Sequence, residues 1–262
     1  MSVEISCPAP DSSPIYFLHI PKTAGTTVTK YIRSIYHHSE VRGAYPGLAG
    51  LMQTPQYDLV AYSLFHGHFN WHLVDHANFP LRVFSFLRDP LKRAISHYHH
   101  VVRSKNHYFH KLALELGSLG SYMRDPRTQP TVSNFQVRSI ASELNPKEII
   151  SRLTAEEISC NQLERLLDTL PLGKSDHELL EIAFRRLEEM CFVGITERFD
   201  DSMALLAEVF EWPRMEVLQK ENANPNPDAY LEVSADDLSY LTSINQLDLE
   251  IYRFGTALFE KS

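Results

Sequence analysis

Short apolar runs rich in β-branched and aromatic residues alternate with stretches of helical periodicity along this chain. That alternation is what most restricts its fold. The first run, Ile15 to Ile20 (IYFLHI), stops at Pro21. It passes through Lys22-Thr-Ala-Gly25-Thr-Thr27 into Val28, Tyr31, Ile32 and Ile35, which recur at helical spacing. This predicts a strand, a Gly-containing turn, and a helix that starts near Thr26 or Thr27. A second strand is expected over Asp58–Phe65, running into His66-Gly67-His68. A third is expected over Arg82–Leu87, stopping at Arg88-Asp89-Pro90 before a helix over Leu91–Val102. A fourth is expected over Cys191–Thr196, leading to a helix near Asp200–Phe210. Strands that alternate with helices imply a parallel sheet with right-handed crossovers. The expected fold is therefore α/β, a three-layer arrangement with a central parallel sheet flanked by helices. Ligands of such sheets sit beyond the carboxyl ends of the strands. Three of the four expected strand ends carry unusual polar sequences.

Lys147–Leu170, His177–Met190 and Ala235–Phe259 read as helical, and Arg103–Gln136 as an irregular insertion or lid. Residues 1–14 read as a loose, flexible arm without the features of a signal peptide. The remainder, 15–262, reads as one domain. No apolar run approaches the ~20 residues that span a bilayer, so no membrane partner is expected. Three widely spaced cysteines, Cys7, Cys160 and Cys191, suggest neither a zinc knuckle nor a disulfide framework. A reducing, cytoplasmic setting follows as the expectation.

Net charge is −8, but it is unevenly placed. Arg82–Lys111 holds seven Lys/Arg against one acid, whereas Asp176–Ser262 holds seven Lys/Arg against nineteen acids. An acidic chain with one basic segment argues against broad nucleic-acid binding and suits a focused site for a small polyanion. A basic helix face balanced by an acidic one explains the same charges.

A strand, a tight turn and a helix start form an anion site, because free N–H groups and the helix dipole face the ligand. Lys22 adds a full charge, and Thr26 and Thr27 add hydroxyls. The pattern is not a Walker A loop, in which the Lys follows the last Gly; here Lys22 precedes the only Gly of the turn. A ligand with one phosphate at this position fits better than a triphosphate. At the third strand end, Arg88 precedes a helix that carries Arg93, Ser96 and Tyr98. Arg88 and Ser96 are two turns apart, so only the strand-end geometry lets both reach one phosphate. Taken singly, the first segment also fits an ordinary βα connection and the second an Asp89 cap with surface arginines.

Together, Pro-Lys-Thr-Ala-Gly-Thr-Thr and the later Arg-Asp-Pro-x-x-Arg-x-x-Ser-x-Tyr resemble the two cofactor signatures of the sulfotransferases. The likeness is greatest to the glycan branch that contains the heparan and dermatan 2-O-sulfotransferases. The resemblance implies that Lys22, Thr23, Ala24, Gly25, Thr26 and Thr27 hold the 5′ side of 3′-phosphoadenosine 5′-phosphosulfate (PAPS). It further implies that Arg88 and Ser96 hold the 3′-phosphate, that PAP is the product and that no metal takes part. Phe65-His66-Gly67-His68 is similar to a His-Gly-His segment that supplies a catalytic histidine in the 2-O enzymes. Asn134-Phe-Gln136-Val-Arg138 and Phe192-Val-Gly-Ile-Thr-Glu197-Arg-Phe resemble later family segments. The anchor and disulfide pattern of the animal Golgi enzymes are not seen, and the acidic surface suits a long polyanionic glycan poorly.

Sulfuryl transfer needs a base for the acceptor hydroxyl, positive charge on the leaving phosphate, and donors to the sulfuryl oxygens. His is suited to the first role near neutral pH, Lys22 to the second, and Thr26, Thr27 and the turn N–H groups to the third. His66 and His68 are two apart and would share one face of a continuing strand. Either is a candidate base, with His68 preferred because it lies nearer the strand's carboxyl end. Among His97, His99 and His100 no i, i+4 pair exists, so a metal site is not expected. Asn134, Gln136 and Arg138 are candidates for cofactor or substrate contacts or for a structural turn, and Asn222–Pro227 for a loop over the adenine or 3′-phosphate or for a plain connector. The expected activity is PAPS-dependent O-sulfation of a carbohydrate or other small hydroxyl-bearing acceptor. An ATP-using kinase-like enzyme and a non-catalytic nucleotide-binding protein are the alternatives.

Overall fold

The structure is a computed structural model that describes residues 11–43, 47–214 and 233–261. Among these residues the strands are β1 (Ile15–Leu18), β2 (Val41–Arg42), β3 (Leu64–Gly67), β4 (Arg82–Leu87) and β5 (Phe192–Ile195). They form one sheet in the order β2-β3-β1-β4-β5, and every pairing is parallel. Helices flank the sheet, giving the expected α/β three-layer arrangement. β1, β3 and β5 are buried along their whole length, as expected of strands covered on both faces. Phe17 stacks on Phe84 across the β1–β4 pair, and Phe86 closes on Phe192 and Phe199.

The strand order has a functional consequence. From β1 the chain crosses to the β3 side of the sheet, and from β4 it crosses to the β5 side. The carboxyl ends of β1 and β4 therefore flank a topological switch point, where the connections diverge and leave a crevice. The Lys22 turn and Arg88 leave these two strand ends.

Three expectations about elements need correction. The second strand starts at Leu64 rather than Asp58. Residues Gln56–Leu59 instead make one helical turn after Pro55, continued by Ala61 and Tyr62 N–H bonds back to Asp58 and Leu59. A short apolar run does not by itself separate strand from helix, and Val60 is in fact exposed. The two-residue β2 carries no sequence signal. Lys147–Leu170 is three short helices, Pro146–Ile150, Ala155–Ser159 and Gln162–Thr169, interrupted where Asn145, Thr154 and Asn161 start new ones. The C-terminal helical stretch divides into Ala235–Ser243 and Gln246–Lys261.

The 103–136 segment packs through short helices at His110–Leu116 and Leu119–Arg124 onto the Pro90–Arg103 helix. Phe109, Tyr122 and Met123 meet Ile95, Tyr98 and Leu241 in a second apolar cluster beside the main core. Residues 1–10 of the expected arm, and the Asn222–Pro227 loop, lie outside the described residues. Cys160 is a free, exposed thiol, but Cys191 is disulfide-bonded. The expectation of a chain without a disulfide framework is corrected to that extent. No helix among the described residues is long and apolar enough to cross a membrane.

Candidate active site

Strand register decides which side chains meet. Leu18 of β1 pairs with Gly67 of β3, and the His19 N–H donates to the Gly67 carbonyl at 3.2 Å. The next residues, His19 and His68, are therefore neighbours at the strand ends. Their rings lie 4.3 Å apart, and His68 Nδ1 is 2.7 Å from the His19 carbonyl oxygen. A carbonyl only accepts, so Nδ1 carries the proton and the lone pair of neutral His68 resides on Nε2. His68 is exposed, and its ring lines a cavity. Desolvation by the surrounding protein, opposed by the His19 hydrogen bond and aided by the Lys22 charge, brings its pKa below the usual histidine value. The ring is therefore a neutral base at neutral pH.

His66 does not share this face. β3 ends at Gly67, whose φ is 157°, so the period-two alternation stops before His68. His66 is buried, does not line the cavity, and accepts from Arg33 Nε at 3.3 Å. Burial and the Arg33 charge hold its pKa near 4.

The turn after β1 carries two non-glycine residues in the left-handed region, Lys22 (φ 76°) and Ala24 (φ 65°). Such backbone costs about 1–3 kcal/mol per residue and tends to occur where N–H groups are being aimed at a ligand. The helix Gly25–Ile35 begins immediately afterwards, and its first residues, Gly25 and Thr26, line the cavity with backbone N–H groups that its own ladder leaves unpaired. Lys22, Ala24, Gly25, Thr26 and Thr27 all line the cavity. Thr23 does not: it is fully buried, and its hydroxyl donates to the Ile20 carbonyl at 2.9 Å. Thr23 shapes the turn instead. Burial, together with Arg103, Arg88 and Arg93, brings Lys22 down to about 8. Three guanidiniums around one ammonium leave a strong demand for an anion.

Gly25 has a different constraint, which is close packing. A Cβ there would lie 1.6 Å from His19 Nε2. Gly25→Ala must displace the ring that lies against His68. We expect it to lower the melting temperature, at an overpacking cost of about 1–3 kcal/mol. Thermal melts of the variant check this; an unchanged melting temperature would mean that the His19 ring moves aside without cost.

Arg88 is fixed by residues far away in the chain. Gln136 brackets its backbone, accepting from Arg88 N at 2.9 Å and donating to Arg88 O at 2.8 Å. Arg88 Nη1 donates to the Lys22 carbonyl at 2.9 Å, tying the two motifs together. Glu197 accepts from the Asp89 N–H and from Tyr252, and its Oε1 lies 3.9 Å from Arg88 Nε. That separation is an ion pair but too long for a hydrogen bond. Arg88 Nε and Thr196 Oγ1 are both buried without hydrogen-bond partners, and both residues line the cavity with Ser96. The other members of the Asn-x-Gln-x-Arg stretch are structural. Asn134 accepts from the Leu247 and Asp248 N–H groups, and Arg138 donates to the Leu167 carbonyl.

The cavity, about 650 Å³, brings together Lys22, Ala24, Gly25, Thr26, Thr27, His68, Arg88 and Ser96. It leaves out Thr23 and His66. Sequence reasoning missed His19, which follows β1 within the same run and reaches His68 only through strand register. It also missed Thr196, whose role depends on β5 being adjacent to β4. His97, His100 and His107 line the cavity as well. Among the described residues no group of three or more His, Cys, Asp or Glu is arranged to hold a metal ion.

Residues 9–136 match the family model described as "Sulfotransferase family". The matched region spans a little under half of the chain and contains the Lys22 turn, Arg88, Ser96 and His68. The match supports a sulfotransferase family and, with it, sulfuryl transfer in general. A search of curated proteins returned no match.

Proposed function

We propose that this chain is a PAPS-dependent O-sulfotransferase that uses His68 as its general base. One observation carries the reading: a Lys-bearing anion turn, a second cationic strand end and a neutral histidine with a free Nε2 line one cavity. The residues present fit the donor. PAPS, when bound, supplies an activated sulfuryl group on its 5′ side and a 3′-phosphate as a handle. Lys22 and the N–H groups of the following helix turn would hold the 5′ side. Arg88, Ser96 and Thr196 would hold the 3′-phosphate, which would satisfy the orphaned Arg88 Nε and Thr196 hydroxyl.

The division of labour follows from the chemistry. His68 Nε2 takes the proton of the acceptor hydroxyl, while the His19 carbonyl keeps the ring in the required tautomer. Lys22 neutralises the charge that grows on the leaving phosphate. Thr26 and Thr27 offer donors to the sulfuryl oxygens. The acceptor is a hydroxyl-bearing molecule, a glycan or a smaller metabolite.

Calorimetric titration with PAP, against 5′-AMP, ADP and ATP–Mg²⁺, tests the reading. PAP is expected to bind tightest, with affinity falling at least about tenfold when the 3′-phosphate is absent, the effect of losing a charge-assisted contact. A preference for ATP–Mg²⁺ would move a kinase-like enzyme to the front, and binding without turnover across a broad acceptor screen would favour a non-catalytic protein. Arg88→Ala refines the test. It should weaken PAP much more than adenosine 5′-phosphosulfate, which lacks the 3′-phosphate; equal weakening of both would remove Arg88 from that role.

A further inference from the structure

Resting on that sulfotransferase reading, we infer that the part of the cavity lined by Asn161, Glu164 and Asp168 is an acceptor subsite for a hydrogen-bond-donating, non-anionic molecule. The class is a neutral polyol or an amino-bearing polyol, and not a polyanionic chain.

The cavity lining changes sign along the chain. Lys22, Arg88 and Arg103 come from the turn after β1 and from the Pro90–Arg103 helix with its approach. Asn161, Glu164 and Asp168 come from the Gln162–Thr169 helix and the residue before it. Asp168 accepts a hydrogen bond from the Tyr108 hydroxyl, and Tyr108 lines the cavity too. Arg138 and Arg93 lie within electrostatic reach of Asp168, so its charge is partly balanced. Glu164 is half-buried, and no cation pairs with it among the described residues. Its Oε1 lies 3.0 Å from where a side chain on Gly47 would begin, so glycine at 47 leaves room for the carboxylate.

A second, independent feature points to a ligand. His97 is 3 % exposed and lines this cavity, and both of its ring nitrogens lack hydrogen-bond partners. A neutral imidazole has one donor and one acceptor to offer. Two such unmet groups in a buried ring are costly unless a guest meets them. Carboxylates, an amide and an imidazole together accept and donate in the pattern that hydroxyls and ammonium groups satisfy. The same carboxylates would repel uronate or sulfate groups, and more strongly in an enclosed site than in water.

The test is equilibrium binding of three probes to the protein, with and without saturating PAP. The probes are a neutral methyl glycoside, its 2-amino-2-deoxy counterpart, and a uronate-containing sulfated oligosaccharide. The first two should bind at least about tenfold tighter than the third. Glu164→Gln should weaken the amino probe by about tenfold, the loss of one charge-assisted hydrogen bond. It should change the neutral probe less and leave PAP affinity unaltered. Equal or tighter binding of the oligosaccharide, no binding of any probe, or indifference of both small probes to Glu164→Gln would each overturn the assignment. A PAP titration on the same sample separates the two failures. Loss of PAP binding overturns the sulfotransferase reading itself, whereas normal PAP binding with a polyanion preference overturns only the acceptor class.

Discussion

His68→Ala is expected to lower turnover by about 10²–10⁴-fold, the usual contribution of a positioned general base, while PAP affinity stays within about twofold. The split follows from geometry: His68 Nε2 is free for an acceptor proton, and the ring makes its one hydrogen bond to the His19 carbonyl through Nδ1. His66→Gln is the matched control. Gln keeps an acceptor for Arg33 Nε, so turnover should hold and at most stability should change, because His66 lies outside the cavity. Steady-state kinetics and PAP calorimetry on both variants decide the matter. If His66→Gln abolishes turnover and His68→Ala does not, the assignment is reversed and the tautomer argument fails with it.

Lys22→Ala should reduce turnover by about 10²–10³-fold, the scale seen when one preorganised group that stabilises transition-state charge is removed. Its effect on PAP binding should be smaller, because Arg88 and the turn N–H groups persist. The pH dependence carries a second signature. Lys22 is held near 8 by burial and by Arg103, Arg88 and Arg93. It is charged below that pH and loses its charge above it, while a bound polyanion favours the charged form. PAP affinity should therefore fall as pH rises through about 8, with proton uptake on binding in that range. kcat/KM should show its basic limb there. The acid limb reports the free base: His68 is shifted below the ordinary 6.5, so activity should persist at pH 6.5 and decline only below it. Lys22→Arg should move the basic limb upward. Titrations in buffers of different ionisation enthalpy measure the uptake; a flat profile between pH 7 and 9.5 would show that Lys22 is not the titrating group.

How much of this was legible beforehand varies by feature. β1, β4, β5 and the helices that follow β1, β4 and β5 were readable because strand, turn and helix start are contiguous, and their signals are local propensity and capping. The Lys22 turn and the Arg88–Ser96 stretch were readable for the same reason. The second strand was misplaced because Asp58–Phe65 has no periodicity that separates one helical turn plus a bend from extended chain. Spacing alone pairs His66 with His68 on one face, because a two-residue interval carries no sign that the strand ends at Gly67; the backbone there does.

By itself, then, the sequence determined that the chain builds a parallel sheet and presents two cationic strand ends, because each unit is encoded within about twenty neighbouring residues. Tertiary structure alone decided the rest of the site. The strand order places the switch point between β1 and β4, and register sets His19 beside His68 across 49 residues of chain. Gln136 grips the Arg88 backbone across 48 residues, and Glu197 reaches Asp89 across 108. The Gln162–Thr169 helix brings carboxylates to a cavity founded on the N-terminal half. The physical reason is common to all of these. A hydrogen bond or a shared cavity wall depends on where two distant backbones pack, and no local propensity carries that information.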